Sequence, residues 1–392
     1  MHSIFDEVLD RRHTSSYKWD QSQKLFGDAD ILPMWVADMD FRAPEEVVKA
    51  LVERTAHGVF GYTIRTDSYY DAVINWQKRR HGWEIKREWI TTSPGVVSAL
   101  SILVETLTEP GDKVVLQAPV YYPFYDVIAM NGREVVNNPL RLENGQYRMD
   151  FDHLKSVLAT GVKALLLCNP HNPGGRVWTM EELKTLGELC LAHGVTVVSD
   201  EIHGDLVFSG HKHIPFASIS ADFAEHSVVC TAPSKTFNIP GIPTSIVITQ
   251  NAKIRNAYNR RLKALSIHME NALGAVAVET CYNKGERWLD ELLVYLRDNL
   301  AVMSAHMAEH APEVKVMVPE GTYLVWLDCR EISDDPAVLK DLMYKSAKVA
   351  FNEGSIFGKE GRGFLRANIA CPRSVMQEGI RRFAAAVRKF KG

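Results

Sequence analysis

Five short runs of this chain are apolar on both faces, and no other feature restricts the fold as tightly. They lie at residues 113–117, 163–168, 195–199, 227–231 and 245–249. Rich in Val, Leu and Ile without alternation, they read as strands buried between helices rather than strands with one wet face. Turn signals introduce them, Pro110-Gly111-Asp112 before the first and His193-Gly194 before the third. Helical stretches fill the intervals. The clearest opens at Thr179 with Glu182 three residues on, a capping box, and runs to His193. Strands alternating with helices predict an α/β domain with a mostly parallel central sheet, placed at residues 46–285. A long helix over about residues 288–310 leads out of it, and residues 286–392 form a smaller α+β domain with a strand pair around 323–327 and 363–366. Residues 1–45 show no such alternation and are expected to form an arm and part of the small domain.

With 392 residues the chain is long enough for two or three domains and needs no staples to hold a core. Its 46% hydrophobic and 24% charged residues exclude a wholly disordered, collagen-like or coiled-coil chain. The net charge of −3 offers no basic surplus for nucleic acid, and Lys78-Arg79-Arg80-His81 reads as a solvated helix end. The first ten residues carry three acids and no apolar signal-peptide core, and no run approaches the ~18 apolar residues of a membrane span. Six cysteines at long, irregular spacing, none in a Cys-x-x-Cys pair, read as free, mostly buried thiols of a reducing cytoplasm. No metal site is expected. His211-Lys-His213 reads as a solvated loop.

In an open α/β sheet, ligands bind beyond the carboxyl ends of the strands. Asn169-Pro-His-Asn-Pro-Gly-Gly175 follows the second run, Asp200-Glu-Ile-His203 the third, and Ala232-Pro-Ser-Lys235 the fourth. Thr92-Ser-Pro-Gly95 precedes a helix start near residue 96. Singly these are common: a solvated lysine, a capping aspartate, an Asn-Pro turn. Together they match the needs of pyridoxal 5′-phosphate. That cofactor takes a lysine for a Schiff base, an acid at its pyridine nitrogen, an amide at its phenolic oxygen, an aromatic lid and a helix N-terminus for its phosphate.

The segments Ser234-Lys-Thr-Phe-Asn-Ile-Pro-Gly241, Asn169 to Gly175 and Asp200 to His203 resemble the fold-type-I pyridoxal-phosphate enzymes. Within them the chain resembles the cystathionine β-lyase and cystalysin type of carbon–sulfur lyase. Trp35-Val-Ala-Asp-Met-Asp-Phe41, Gly58-Val-Phe-Gly-Tyr62, Ala118-Pro-Val-Tyr121 and Phe364-Leu-Arg-Ala-Asn368 support the likeness, which runs from Trp19 to Arg373. It implies that Lys235 carries the cofactor and acts as base at the substrate Cα, and that Asp200 bonds the pyridine nitrogen. It implies that Asn172 reaches the phenolic oxygen, and that Tyr121 stacks on the ring and touches substrate. Gly95 and Val96 amides with Ser234 would hold the phosphate, helped by Tyr62 from the neighbouring subunit of a homodimer. Arg366 would fork onto the substrate α-carboxylate. His203 would support the cofactor without a catalytic role.

Two positions depart from many aminotransferases of this fold: Pro243 stands where they have a phosphate-binding Arg, and Ala232 where some have a hydroxyl residue. Phosphate binding then leans on amides, Ser234, Thr231 and Tyr62. The missing Arg tilts the reading toward β-elimination on cysteine S-conjugates, with an amino-acid aminotransferase as the alternative. A regulatory protein that merely retains the pocket is disfavoured by the intact Lys235, Asp200 and Arg366. A nicotinamide enzyme is excluded because no Gly-x-Gly-x-x-Gly follows a strand.

Overall fold

Alternate residues of the buried runs serve opposite faces, and this sets the layering. A computed structural model describes residues 3–391 of the chain. Val114, Leu116, Leu166 and Val198 face one side of a seven-stranded sheet, against the helices Val96–Leu107, Pro123–Ala129 and Ala252–Ala264. Val115, Leu165, Leu167 and Val197 face the other, against Phe151–Leu158 and Met180–Ala192. Each fully buried Leu or Val contributes about 1.5–3 kcal/mol, which is why neither face tolerates polar alternation. The capping box at Thr179 and Glu182 forms as the spacing predicts.

Across the sheet the strands run Ile90–Ser93, Ser245–Ile248, Ser227–Thr231, Thr196–Asp200, Ala164–Cys168, Lys113–Leu116 and Glu134–Asn137. The last five are mutually parallel, whereas Ser245–Ile248 is antiparallel to both of its neighbours. Two reversals restore direction, so Ser93 ends at the same edge as Thr231. Two of these strands escape the pattern of apolar runs. Ile90–Ser93 carries Thr91, Thr92 and Ser93, all buried, and Glu134–Asn137 is a half-exposed edge. The chain order reverses between Lys113–Leu116 and Ala164–Cys168, and the crevice beyond this switch point is where such folds take ligands.

A second, four-stranded antiparallel sheet joins Lys315–Met317, Leu324–Asp328, Phe364–Asn368 and Asn352–Glu353. The helices Glu286–His310 and Arg373–Lys391 pack together beside it. The N-terminal residues reach this region too: Leu32–Pro33 pairs in parallel with Val349–Ala350, and Phe5 packs edge-on to Trp288 at 5.4 Å.

Two charged motifs differ from expectation. The basic run closes the helix Asp67–His81, but Arg79 and Arg80 pair with Glu286 and His81 is tucked against Asp205 at 2.9 Å. His213, expected in a solvated loop, is 4% exposed and lies 2.9 Å from Glu201. The reason in both cases is an acid distant in sequence that offers the imidazole a buried partner. All six cysteines are buried and free. No described helix is long and apolar enough to cross a membrane.

Candidate active site

The carboxyl edge of the large sheet holds two charged side chains, Asp200 and Lys235, that have few partners of their own. Asp200 ends the strand Thr196–Asp200 and is 5% exposed. One carboxylate oxygen accepts the Ile202 N–H at 3.1 Å. Burial pushes its pKa up from the usual 3.8 to about 7, and the Ile202 bond only partly opposes this. A buried carboxylate so thinly bonded calls for a cation or a proton at its remaining lone pairs.

Lys235 sits in the single turn Pro233–Thr236, launched by proline directly after the strand Ser227–Thr231. Its Nζ donates to the Ala37 carbonyl at 2.5 Å. Burial lowers its pKa from 10.5 to about 8; the Asp38 charge resists, Arg366 assists and Asp200 resists. The amine is therefore held close to the point where it can give up its proton near neutrality.

A cavity of about 200 Å³ joins these groups, lined among others by Gly95, Val96, Tyr121, Asn172, Asp200, His203 and Lys235. Tyr121 and Asn172 come from the loops on either side of the switch point, and the Tyr121 N–H donates to the Asn172 carbonyl at 3.1 Å. The helix Val96–Leu107 points its N-terminus into the same cavity. Its first internal bond runs from Ala99 N–H to Gly95 carbonyl, and no side chain caps it. The N–H groups of Val96, Val97 and Ser98 thus precede the helical ladder, the usual seat of an anion. A Cβ on Gly95 would meet nothing within 4 Å, so the cradle before the helix is open.

Arg366, on the strand Phe364–Asn368 of the smaller sheet, does not line this cavity itself but lies against it through Asn172. Its guanidinium donates to Asn172 Oδ1 at 3.0 Å, Asn352 Oδ1 at 2.6 Å and the Trp35 carbonyl at 3.1 Å. It lies over the Phe357 ring at 4.8 Å, and its Nε is buried without a partner. Burial pulls its pKa down to about 10. Every partner is neutral, which leaves the fork able to receive a carboxylate.

The other expected residues fall differently. Ser234 is buried on the Lys235 turn but does not line the cavity. His203 does line it; burial drives its pKa down to about 3, and its Nδ1 is buried without a partner. Tyr62 is 96% exposed and lies outside this chain's cavity. Pro243 offers only its carbonyl, to Asn271.

Sequence reasoning missed the main-chain strap at residues 35–39. Its Ala37 carbonyl takes Lys235 and the Tyr323 hydroxyl, Trp35 takes Arg366, and Val36 and Asp38 take Asn368. Carbonyl acceptors leave no side-chain signal; only the Trp35-to-Phe41 motif marked the place.

Known proteins share this arrangement of chain. Cystathionine beta-lyase PatB of Bacillus subtilis is 49% identical over 384 residues, which cover 98% of this chain and 99% of that protein. The crystal structure of cystalysin from Treponema denticola, which contains a pyridoxal 5′-phosphate cofactor, matches with a TM-score of 0.96 at 37% identity, covering 99% of this chain and 100% of that one. The PLP-bound C-S lyase from Staphylococcus hominis matches at 0.92 with 34% identity, covering 99% and 98%. The sequence model of aminotransferase class I and II matches residues 29–383, and the chain belongs to that family.

Proposed function

We propose that the chain is a pyridoxal-phosphate-dependent carbon–sulfur β-lyase, converting cysteine S-conjugates and water to pyruvate, ammonia and a thiol. The observation that carries the reading is one cavity lined by Lys235, Asp200 and the uncapped Gly95 helix start. The residues fit the cofactor. Asp200 lacks the cation that a protonated pyridine nitrogen would supply, and the open helix start suits a phosphate. Asn172 and Tyr121 stand between as amide and aromatic. The resemblance of the whole chain to named β-lyases supports elimination over transamination. So does the lining of the cavity: Val96, Val97 and Ile202 make much of its wall, and Lys235 is its only cation among the described residues. A thioether chain suits that wall better than a second carboxylate.

When bound, pyridoxal phosphate accepts the electron pair released at the substrate α-carbon. Lys235 would hold the cofactor, and its freed amine takes the Cα proton. Burial keeps that amine competent as a base. Asp200 would face the pyridine nitrogen as a carboxylate and favour its protonated form. Arg366 grips the α-carboxylate and turns the Cα–H bond toward Lys235. With the proton gone, the β-carbon–sulfur bond breaks and the thiolate leaves.

The same reading places the working enzyme in the cytoplasm as a homodimer, with Tyr62 of one subunit reaching the phosphate held by the other. It divides the chain into residues 1–45, 46–285 and 286–392. The exposure of Tyr62 supports the shared site, and the pairing of Leu32–Pro33 with Val349–Ala350 supports assigning part of residues 1–45 to the small domain. The test of the reaction is a panel of L-cysteine conjugates with no added keto acid. Pyruvate and free thiol are expected in equal amounts. Strict dependence on a keto-acid acceptor would hand the function to an aminotransferase.

A further inference from the structure

Past Asp200 and the buried Glu201 the chain makes a tight turn and presents a third buried acid, Asp205, which does not line the cavity. One of its oxygens accepts the Trp76 indole N–H at 3.0 Å and lies 2.9 Å from His81 Nε2. The other accepts the Thr236 hydroxyl at 2.9 Å. Thr236 is fully buried and is the residue next to Lys235. The turn that carries Lys235 is only four residues long, too short to hold its own orientation by helical bonds. Its support is external: Thr236 on Asp205, Phe237 among Trp76, Tyr282 and Trp288, and Asn238 on the backbone of Met39 and Phe41.

We infer that Asp205, through Thr236, is a positioning residue that fixes Lys235 relative to Asp200. Both ends of the brace matter. Asp205 sits in the turn that follows the strand ending at Asp200, so one short connection links the acid of the cavity and, through one hydrogen bond, the lysine on the neighbouring strand end. His81 and Trp76 hold the other carboxylate oxygen, which leaves Asp205 little freedom to follow a wandering lysine turn. None of the three side chains lines the cavity. The inference rests on Lys235 being the cofactor lysine.

The test uses the holoenzyme and Thr236→Val, which keeps the shape and removes the donor, with Thr236→Ser as the conservative replacement. Thr236→Ala is read in parallel, so that a folding failure of the valine variant leaves the comparison intact. Borohydride trapping of the cofactor onto Lys235 is run on every protein. Trapping elsewhere in the wild type would defeat the lysine assignment itself, independently of Thr236. With trapping intact, kcat of Thr236→Val should fall roughly 10-fold or more while KM stays within about 2-fold, because displacement of the base damages the proton transfer and not substrate capture. The pH midpoint of the bound cofactor's visible band should move by at least ~0.5 unit as the amine's surroundings loosen. Thr236→Ser should restore both. A valine variant with wild-type kcat and midpoint overturns the inference. So does a loss of kcat that tracks lost cofactor with the midpoint unmoved, or one that serine does not rescue.

Discussion

Two groups of buried charges lie close together along the strap of residues 35–40, and they are completed in opposite ways. On one side Lys18, 1% exposed, bonds Asp40 at 2.6 Å, and Arg11 and the Trp19 indole bond the same carboxylate. Burial alone would raise Asp40, yet Lys18 and Arg11 hold its pKa below the ordinary value. On the other side Asp200 accepts one backbone bond, Lys235 donates to one carbonyl, and Arg366 meets neutral groups alone. Asp200 is raised to about 7 and Lys235 lowered to about 8. The first group is closed within the chain and ties the N-terminal segment to the fold. The second is left open at an energetic cost that a ligand relieves. Unpaired buried charge therefore marks the site more sharply than buried charge as such.

The comparison breaks most visibly at its two lysines. Lys235→Met should abolish turnover, by on the order of 10⁴-fold, since the base at Cα is gone. The cofactor-free protein should unfold at the same or higher denaturant concentration, because a buried charge bonded only to a neutral carbonyl has been removed. Lys18→Met should do the reverse and destabilise by about 3–5 kcal/mol, leaving Asp40 short of a partner. Denaturant titration of both variants beside assays at saturating cofactor checks the crossing. Equal stability losses would erase the distinction.

Asp200→Asn sharpens the same contrast. An amide cannot hold a pyridinium charge, so kcat should drop ~30- to 1000-fold, or about 2–4 kcal/mol in the transition state. Its signature in the cofactor-free protein is a pH effect. The folded pKa, about 7, lies above the ordinary 3.8, so the native state binds the proton more tightly than the unfolded chain. Asp200 thus contributes stability below pH 3.8 that is lost as pH rises through 7. Asp200→Asn should therefore gain stability on wild type as pH climbs across that window, by a few kcal/mol, and the gain should vanish with cofactor bound. Unfolding curves that stay parallel across that range would show Asp200 to be satisfied without a ligand.

Arg366→Ala should raise KM for a cysteine conjugate ~10- to 100-fold and lower kcat as well, as expected for a lost charged hydrogen bond that also orients the substrate. Arg366→Lys should recover only part, because a point charge cannot reproduce the planar fork. Unchanged discrimination between a conjugate and its decarboxylated analogue would make Arg366 structural.

The smallest effect belongs to the most exposed residue of the reading. Tyr62→Phe removes one hydroxyl and should weaken cofactor retention by about 1 kcal/mol, read as a ~5-fold rise in the cofactor's Kd. If Tyr62 serves the neighbouring site, dissociating and mixing inactive Lys235→Ala and Tyr62→Ala subunits should regain activity. No recovery in proven hybrids would return Tyr62 to its own chain's surface.

Local pattern was enough for most of the central layer and for the chemistry at its edge. Buried strands must be apolar on both faces, and the residues that follow them carry their roles in their side chains. That made Lys235, Asp200, Asn172, Tyr121 and the Gly95 helix start legible as a set. Tertiary structure decided what pattern cannot carry. Ile90–Ser93 became an edge strand of the large sheet because Thr91 and Ser245 find partners in Asn259 and in the Ser93 carbonyl. His213 went inward because Glu201 waits there, and the basic helix end found Glu286 across 200 residues of chain. The strap that receives Lys235 and Arg366 works through carbonyl oxygens, which every residue has and no sequence displays. Side-chain identity is written along the chain, whereas the partner that completes or withholds a buried charge exists only once distant segments meet.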